Sequence, residues 1–582
     1  MKNLVISNDV DLWSTNEENI LVGDWCEQGL EKFKNSHKIS IFENHWKDLN
    51  KAENDLNKIE SSIWAELISF ISNELNNYHK TNYKKDYWEI LIGSWLASYL
   101  ICLFDRYETI KSIIRKYNLN NLQSKIFNYN DEDFIPEQTS DFTSNLTFQN
   151  SWSHWINFNL IKFFQIKFKE TDYKKNIINP TSLSENPFNR KKKFLLNIFG
   201  LINRILNYFF TCKLYIHEAY MPKSLKLKLL YYSKSFPIIP IKYFYEKTGL
   251  KFDDKFRKKT IQIKNDSFVE FAKLMVFKNI PKSFVEDFLN NKKKIKKFGW
   301  PRNPSKVLTS IAQYYNEYFK IYIAEKKMSK CKFLISQHGG MYGTAKFITG
   351  EFFEKKICDN YLSWGWSDNS KVIPMHYLNF NLNKEYKKKL NPNGIIISAT
   401  NTFNIPNRLA SAPRDLDSTK KYYQNISKFI DNLDTNIQKQ SNLKYLDFGR
   451  APNITEFLNQ NINFLKTKKT IIEESINYRL VIETLNSTGF LENLYFNVPS
   501  ILILDESYCQ IRNNALRYFD QLKTQKIIFN NPIQAARHVN DNYQDINFWW
   551  KNKDLQNVRL NFCKKFINFP DKNYLSIRNF LN

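Results

Sequence analysis

The stretch "YRLVIETLNSTGFLENLYFNVPSILIL" (478–504) decides how the chain is read. Its first run predicts a buried strand over 478–484. The segment "TGFLENLYF" predicts a helix over 488–496, and "PSILIL" a second strand over 499–504. Strands that alternate with helices in this way argue for a parallel sheet with helices on its faces. The link Leu485-Asn486-Ser487 then lies at the carboxyl end of a strand, where open α/β sheets bind their ligands.

The same alternation extends outward. Upstream lie strand "IIISAT" (395–400), a helix over 418–438, strand "LKYLDF" (443–448) and a helix over 453–460; terminal helices follow downstream. In the first half, "KNLVIS" (2–7) and "NILVG" (19–23) predict short strands ending in polar turns. Residues 40–130 read as helical, with 87–117 apolar on more than one face, as suits a central buried helix. Strand "TCKLYIHEAY" (211–220) precedes a helix over 221–234. An amphipathic helix over 304–327 feeds strand "CKFLIS" (331–336). The segment 174–193 reads as an exposed insertion, and the charged, Asn-rich stretch "NLNKEYKKKLNPNG" (381–394) as an interdomain joint. The expectation is two α/β domains facing each other across a cleft. Residues 1–388 form the first, enlarged by helical insertions, and 389–582 the second, whose terminal helices could pack back on the first.

Composition bounds the rest. A chain of 582 residues exceeds the size of one hydrophobic core, and 42% hydrophobic with 16% aromatic content excludes a disordered chain. The formal charge of +27 invites nucleic acid, an anionic membrane or a polyanionic substrate. The basic residues are scattered and form no nucleic-acid-binding motif, so no nucleic-acid partner is expected. Seven dispersed cysteines, odd in number and without a CxxC, point to a reducing compartment and away from zinc. The start, "MKNLVISNDVDLW", lacks the pattern of a signal peptide, and no run reaches the ~18 apolar residues of a span. The nearest, "FLLNIFGLINRILNYFF" (194–210), is interrupted by Asn197, Asn203, Arg204 and Asn207, and reads as a buried or membrane-grazing helix. A cytoplasmic protein is expected, peripheral at most on the inner face of the plasma membrane.

Two turns carry candidate chemistry. After strand 331–336 comes "SQHGGMYG" (336–343), which spends three of 14 glycines beside one of eight histidines. Gln337, Gly339 and Gly340 would let a ligand approach the backbone, with His338 aimed at a charged group. The other turn, Glu483-Thr484-Leu485-Asn486-Ser487-Thr488-Gly489, opens a helix carrying Glu492. Asn486, Ser487 and Thr488 put small donors and backbone N–H groups at a helix N-terminus, a site that favours phosphate. The blander alternatives are a simple N-cap and a structural histidine.

The stretches "YWEILIGSWLASYLICLFDRYE" (87–108), "SQHGGMYGTAKFITGEFFEKKICDNYLSWGWSD" (336–368) and "YRLVIETLNSTGFLENLYFNVPSILI" (478–503) resemble a family of transferases encoded among genes for O-antigen and other surface polysaccharides. The resemblance runs from "LVGDWC" (21–26) to "AARHVNDNYQDINFWW" (535–550). More distantly, the chain is similar to capsule-type glycosyltransferases using CMP-activated ulosonic acids (Kdo and nonulosonic acids). That likeness implies a GT-B-like fold of two Rossmann-like domains. It also implies a transferase moving an acidic sugar to a glycan or lipid-linked acceptor, with the donor phosphate at the helix start and Glu492 on a ribose hydroxyl. The family pattern has a second small hydroxyl residue where Gly489 stands, which implies fewer phosphate donors here. His338 would stabilise the departing CMP by charge or as general acid.

Weaker candidates are the carboxylates Asp105, Glu218 and Glu351 as base or nucleophile, and Arg450, Ser398 and Thr400 as nucleotide contacts. Trp364 and Trp366 could stack on a sugar, though packing explains them equally well. No cofactor beyond the nucleotide-sugar co-substrate is expected, and no metal: neither a DxD pair after a strand nor a His/Cys ligand spacing occurs. Two other functions fit less well. Transfer of an alditol phosphate from a CDP donor goes with two separated His motifs, and here only His338 sits in a Gly-rich turn. A basic scaffold on membrane or RNA leaves the strand-end motifs unexplained.

Overall fold

The structure, a computed structural model, describes residues 1–27, 38–144, 146–171, 190–239, 241–246, 249–379, 392, 394–401, 408–447, 452–571 and 574–581, with side chains from 194 onward in the segment that starts at 190. Residues 174–189 of the insertion expected at 174–193, and most of the expected joint at 381–394, including the division at 388/389, lie outside them; residues 190–193 open a helix instead. Packing divides the chain into two units: 1–218 with 234–333 and 405–409, and 219–233 with 334–404 and 410–582.

The first unit holds β1 (Lys2–Val5), β2 (Glu18–Leu21), β3 (Ile39–Ile41), α1 (Lys85–Tyr117), β4 (Leu122–Phe127), β5 (Lys167–Thr171), α2 (Arg190–Phe209), β6 (Leu214–Ile216) and β7 (Lys306–Thr309). Its parallel sheet has the order β3-β2-β1-β4-β5; β6 pairs in parallel with β7. Two strands sit where helix was expected. β4 lies within 40–130, and β7 opens the stretch 304–327, whose helical part starts only at Ala312. In both, four to six residues of strand precede or follow a long helix and are swamped by its periodicity. α1 is long and apolar enough to cross a membrane, yet 94% of its apolar window is buried. It is the central core helix that the sequence predicts, with Trp88, Trp95 and Tyr99 fully buried on it.

Strand β8 (Lys332–Ser336) leads into the second unit: α3 (Thr349–Ile357), β9 (Asn360–Ser363), β10 (Val372–Pro374), β11 (Ile395–Thr400), α4 (Leu416–Asp431), β12 (Asn442–Leu446), β13 (Asn463–Phe464), β14 (Leu480–Glu483), α5 (Thr488–Tyr495), β15 (Ser500–Ile503) and β16 (Ile528–Phe529). β8 pairs with β9 and β9 with β10, all parallel. The six-stranded parallel sheet has the order β13-β12-β11-β14-β15-β16. Numbered from its own first strand, that is the order of dinucleotide-binding sheets, with the switch point between β11 and β14. Both strands open with a buried apolar run, Ile395-Ile396-Ile397 and Leu480-Val481-Ile482, as suits strands covered on both faces; Ile396 lies beside Val481 and Ile397 beside Ile482. The helix expected over 453–460 is a single 3-10 turn, Ile454–Phe457, before β13. Asn, Pro and Thr there favour caps and turns over helix interior.

Residues 334–404 are grouped with 219–233 and 410–582.

Candidate functional site

The turn after β8 and the start of α5 are built against each other within the second unit. Gly340 N–H donates to Thr488 Oγ1 at 2.9 Å, and Asn486 Nδ2 donates to Thr344 Oγ1 at 3.0 Å. A Cβ on Gly340 would lie 2.7 Å from Thr488 N and 2.8 Å from Ser487 C and O. The expectation that Gly340 clears room for a ligand is corrected here: the room is taken by the backbone of Ser487–Thr488. Gly343 has φ +76°, and a Cβ there would meet the Trp366 indole at 2.4 Å. Gly339 has only the Tyr342 ring edge nearby, at 3.2 Å.

Gln337 is a latch within the turn. Its side chain is buried, donates to Gly339 O at 2.9 Å, and accepts from Trp364 N at 2.9 Å and Trp366 Nε1 at 2.8 Å. Trp364 and Trp366 are themselves buried. All three hold the turn, which leaves Gln337 no amide group to offer a donor and the indoles no face for a sugar.

His338 remains a fifth exposed at the lip. Its Nδ1 lies 3.3 Å from Oε1 of the wholly buried Glu354 on α3, and its Nε2 lies 3.3 Å from Tyr342 Oη. A carboxylate behind Nδ1 orients the ring, with Nε2 turned to Tyr342. Sequence reasoning missed Glu354. Three residues after Glu351 on α3, it shares the buried helix face, and only the fold shows which of the two meets the histidine.

Glu351 is spent elsewhere. It accepts from Arg512 at 3.0 and 2.8 Å, from Gly343 N–H at 2.8 Å and from Lys355 at 2.9 Å. Burial pushes its pKa up, but the charges of Arg512 and Lys355 and these hydrogen bonds outweigh it and hold the carboxyl below its usual range. A buried carboxylate with both oxygens occupied is a strut, not a base or nucleophile.

α5 begins with no side-chain cap: Ser487 is the N-cap residue and makes no capping bond, while Thr488 Oγ1 is turned to Gly340. The simple N-cap alternative therefore fails: neither the Ser487 nor the Thr488 side chain caps the helix. Gly489 has no room for the hydroxyl residue of the family pattern, since a Cβ would meet Ile471 Cγ2 at 2.6 Å and Glu483 Oε1 at 2.8 Å. Beneath it, burial pushes the Glu483 carboxyl up to about 8; it accepts from Asn493 Nδ2 at 2.9 Å. One turn along α5, Glu492 accepts a short hydrogen bond from Tyr377 Oη, and burial raises its pKa.

At the adjoining end of β11 the Ser398 carbonyl accepts from Thr484 Oγ1 at 2.7 Å, and Thr400 Oγ1 donates to Leu446 O at 3.2 Å. Tyr422 of α4 joins them, 2.6 Å from Thr484 Oγ1 and accepting from Thr400 N–H at 3.3 Å. Thus Ser398, Thr400, Thr484 and the start of α5 meet at the switch point of the sheet.

Two predicted carboxylates belong to the first unit. Asp105 is fully buried and accepts from Arg408 at 2.8 and 3.1 Å and from Arg106, with His45 Nε2 at 3.2 Å. Burial opposes its charge, but Arg408, His45 and Arg106 together hold its pKa well below the usual range. It is a structural hub inaccessible to a substrate. Glu218, just past β6, has φ +44° and pairs with Lys242 at 2.9 Å; a left-handed glutamate is a strained backbone position of the kind that clusters at functional sites. Arg450 lies outside the described residues. All seven cysteines are buried, and no group of three or more His, Cys, Asp or Glu side chains among the described residues could hold a metal.

Among solved structures, the chain is similar to the wall teichoic acid polymerase TagF (13% identity, 68% of this chain and 97% of that one, TM-score 0.30). It is also similar to the glycosyltransferase SnogD from Streptomyces nogalater (11%, 57% and 85%, TM-score 0.31). A third is Anabaena Alr3699/HepE in complex with UDP and glucose (11%, 63% and 98%, TM-score 0.32). No curated protein matches. Residues 2–575 match the family described as LIC12162 family transferase. The chain belongs to that family.

Proposed function

We propose, from membership of the LIC12162 transferase family, that the protein is a nucleotide-dependent glycosyltransferase of surface-polysaccharide synthesis with the GT-B arrangement. It moves an acidic ulosonic sugar from a CMP donor to a glycan or lipid-linked acceptor. The observation that carries the reading is the uncapped start of α5 at the switch point of the six-stranded sheet, with the His338–Glu354 pair on the turn locked to it. The donor phosphate accepts from the first-turn N–H groups of α5 and from Ser487, and the helix dipole favours its charge. As the bond between the anomeric carbon and the phosphate oxygen breaks, negative charge grows on the leaving CMP. His338, oriented by Glu354, stabilises that charge or supplies a proton to it. No step requires a metal, so activity is expected to survive EDTA.

The test is a thermal-shift panel of CMP, CDP, UDP and GDP, paired with His338→Ala. A ligand that binds only the folded chain raises its Tm, so CMP should give the larger shift. His338→Ala should keep a near-native Tm and lose about 10²-fold in turnover. A shift with UDP or GDP and none with CMP removes the ulosonic donor. Near-normal turnover in His338→Ala removes the catalytic role, and turnover of CDP-glycerol would convert the reading to alditol-phosphate transfer.

A further inference from the structure

Helix α2 in the first unit is mounted with its polar side inward. Asn203 is wholly buried; it donates to Ile239 O and accepts from Ile239 N–H, each at 2.9 Å. Asn207 donates to Gly299 O at 2.8 Å. Gly200 permits the close approach: a Cβ there would meet Tyr243 Oη at 2.9 Å and Lys297 O at 3.0 Å. Gly299, at φ +70°, faces it, and a Cβ would lie 2.4 Å from Gly200 O. Positions 200, 203 and 207 form one stripe of the helix, and that stripe is used up in fixing it to the body.

The large apolar side chains consequently face outward. Phe194 is 66% exposed, Tyr208 75% and Phe209 71%. Leu195, Ile198, Phe199, Leu201, Ile202 and Ile205 are exposed between them. An ordinary surface helix does the reverse. An apolar face this continuous, on a helix about 30 Å long, marks a surface that something covers.

Charge identifies the occupant. The helix opens with Arg190-Lys191-Lys192-Lys193 in a chain of net charge +27. Beside α2 lies a cavity of about 300 Å³ whose lining includes Arg204, Lys296, Arg302 and Lys326, with Glu325 the acidic member; Glu325 lies 3.3 Å from Lys292. A two-fold contact with a second copy would set these cations against one another. An anionic bilayer surface satisfies both halves of the site: acyl chains take the apolar face and phosphate headgroups take the cations. We propose that α2 lies in the plane of an anionic phospholipid membrane, with the Arg204–Lys296–Arg302–Lys326 cavity holding a lipid phosphate. The anchor stands whatever group the enzyme transfers.

The experiment is cosedimentation of the full chain with vesicles of phosphatidylcholine alone or with added phosphatidylglycerol. Binding should be about tenfold or more tighter with the anionic lipid and weaken in high salt. Phe194→Ser/Ile205→Ser/Phe209→Ser should lower binding about 100-fold or more with an unchanged Tm, since these side chains are outside the core. Arg204→Glu/Arg302→Glu should abolish the preference for phosphatidylglycerol. Should the triple variant misfold, Tyr208→Cys carrying a polarity-sensitive dye reports insertion directly, because the native cysteines are all buried; its emission should shift to the blue on anionic vesicles. Absence of wild-type binding, wild-type binding by a folded triple variant, no dye shift, or a dimer broken by the triple variant without vesicle binding would each overturn the anchor. Retained lipid preference in the charge-reversed pair would overturn the headgroup cavity.

Discussion

Gly340→Ala tests the interlock that defines the candidate site. The added carbon would stand 2.7 Å from Thr488 N and 2.8 Å from Ser487 C and O. These are backbone atoms at the start of α5, with no rotamer to swing aside. Accommodating the carbon means pushing the turn off the helix, which also breaks the 2.9 Å bond from Gly340 N–H to Thr488 Oγ1. Forcing a methyl into a packed site costs about 1–3 kcal/mol, and the lost hydrogen bond about 0.5–1.5 kcal/mol. Together they give a loss of about 1.5–4.5 kcal/mol, a fall in Tm of roughly 3–18 °C. Gly339→Ala is the internal control: its nearest neighbour is the edge of the Tyr342 ring at 3.2 Å, which can move by a few tenths of an ångström, so the expected change is under about 1 kcal/mol. Both variants would be melted by circular dichroism, alone and with CMP. Gly340→Ala should also lose most of the CMP-induced shift, because the helix start would be moved away from the proposed phosphate position. A Gly340→Ala melting curve that superimposes on the wild type, or one no lower than that of Gly339→Ala, would refute the packing argument.

Two further outcomes follow from buried carboxylates of opposite sign. Glu483, raised to about 8 from an ordinary 4.5, keeps its proton in the folded state where the unfolded chain has lost it. Stability should therefore fall as pH rises from about 4.5 to 8, by at most about 1.4 kcal/mol per pH unit, and then level off; Glu483→Gln should flatten that slope in denaturant titrations across the range. Asp105 is depressed, so its contribution is present at neutral pH and lost as pH falls below about 4. Asp105→Asn leaves Arg106 and Arg408 buried without their counter-charge and should cost about 3–5 kcal/mol in urea unfolding at neutral pH. A loss of activity without loss of stability in that variant would contradict its assignment as a structural hub.

The sequence by itself determined the elements with strong local signals. The apolar runs of β8, β11, β14 and β15, the buried helix α1 and the two polar turns could be read because burial on both faces leaves an uninterrupted apolar stretch, bounded by residues that favour turns. It also placed His338 just past the end of β8 and Ser487 at the start of α5, since strand ends and helix starts are local features. Tertiary structure decided what those residues do. Gln337, Glu351 and Asp105 looked like ligands or catalysts because a lone polar side chain near a turn carries no label for its partner. Their partners, Trp364 and Trp366, Arg512, and Arg408, are distant in sequence and were fixed only by folding. Glu354 stayed hidden for the same reason: helix spacing puts it and Glu351 on one face, and only the path of the turn after β8 brings His338 to one of them. The glycines make the point most simply. Their clustering signalled a close approach, but whether a ligand or the chain's own backbone approaches is a matter of where α5 starts in space, and no stretch of sequence encodes that alone.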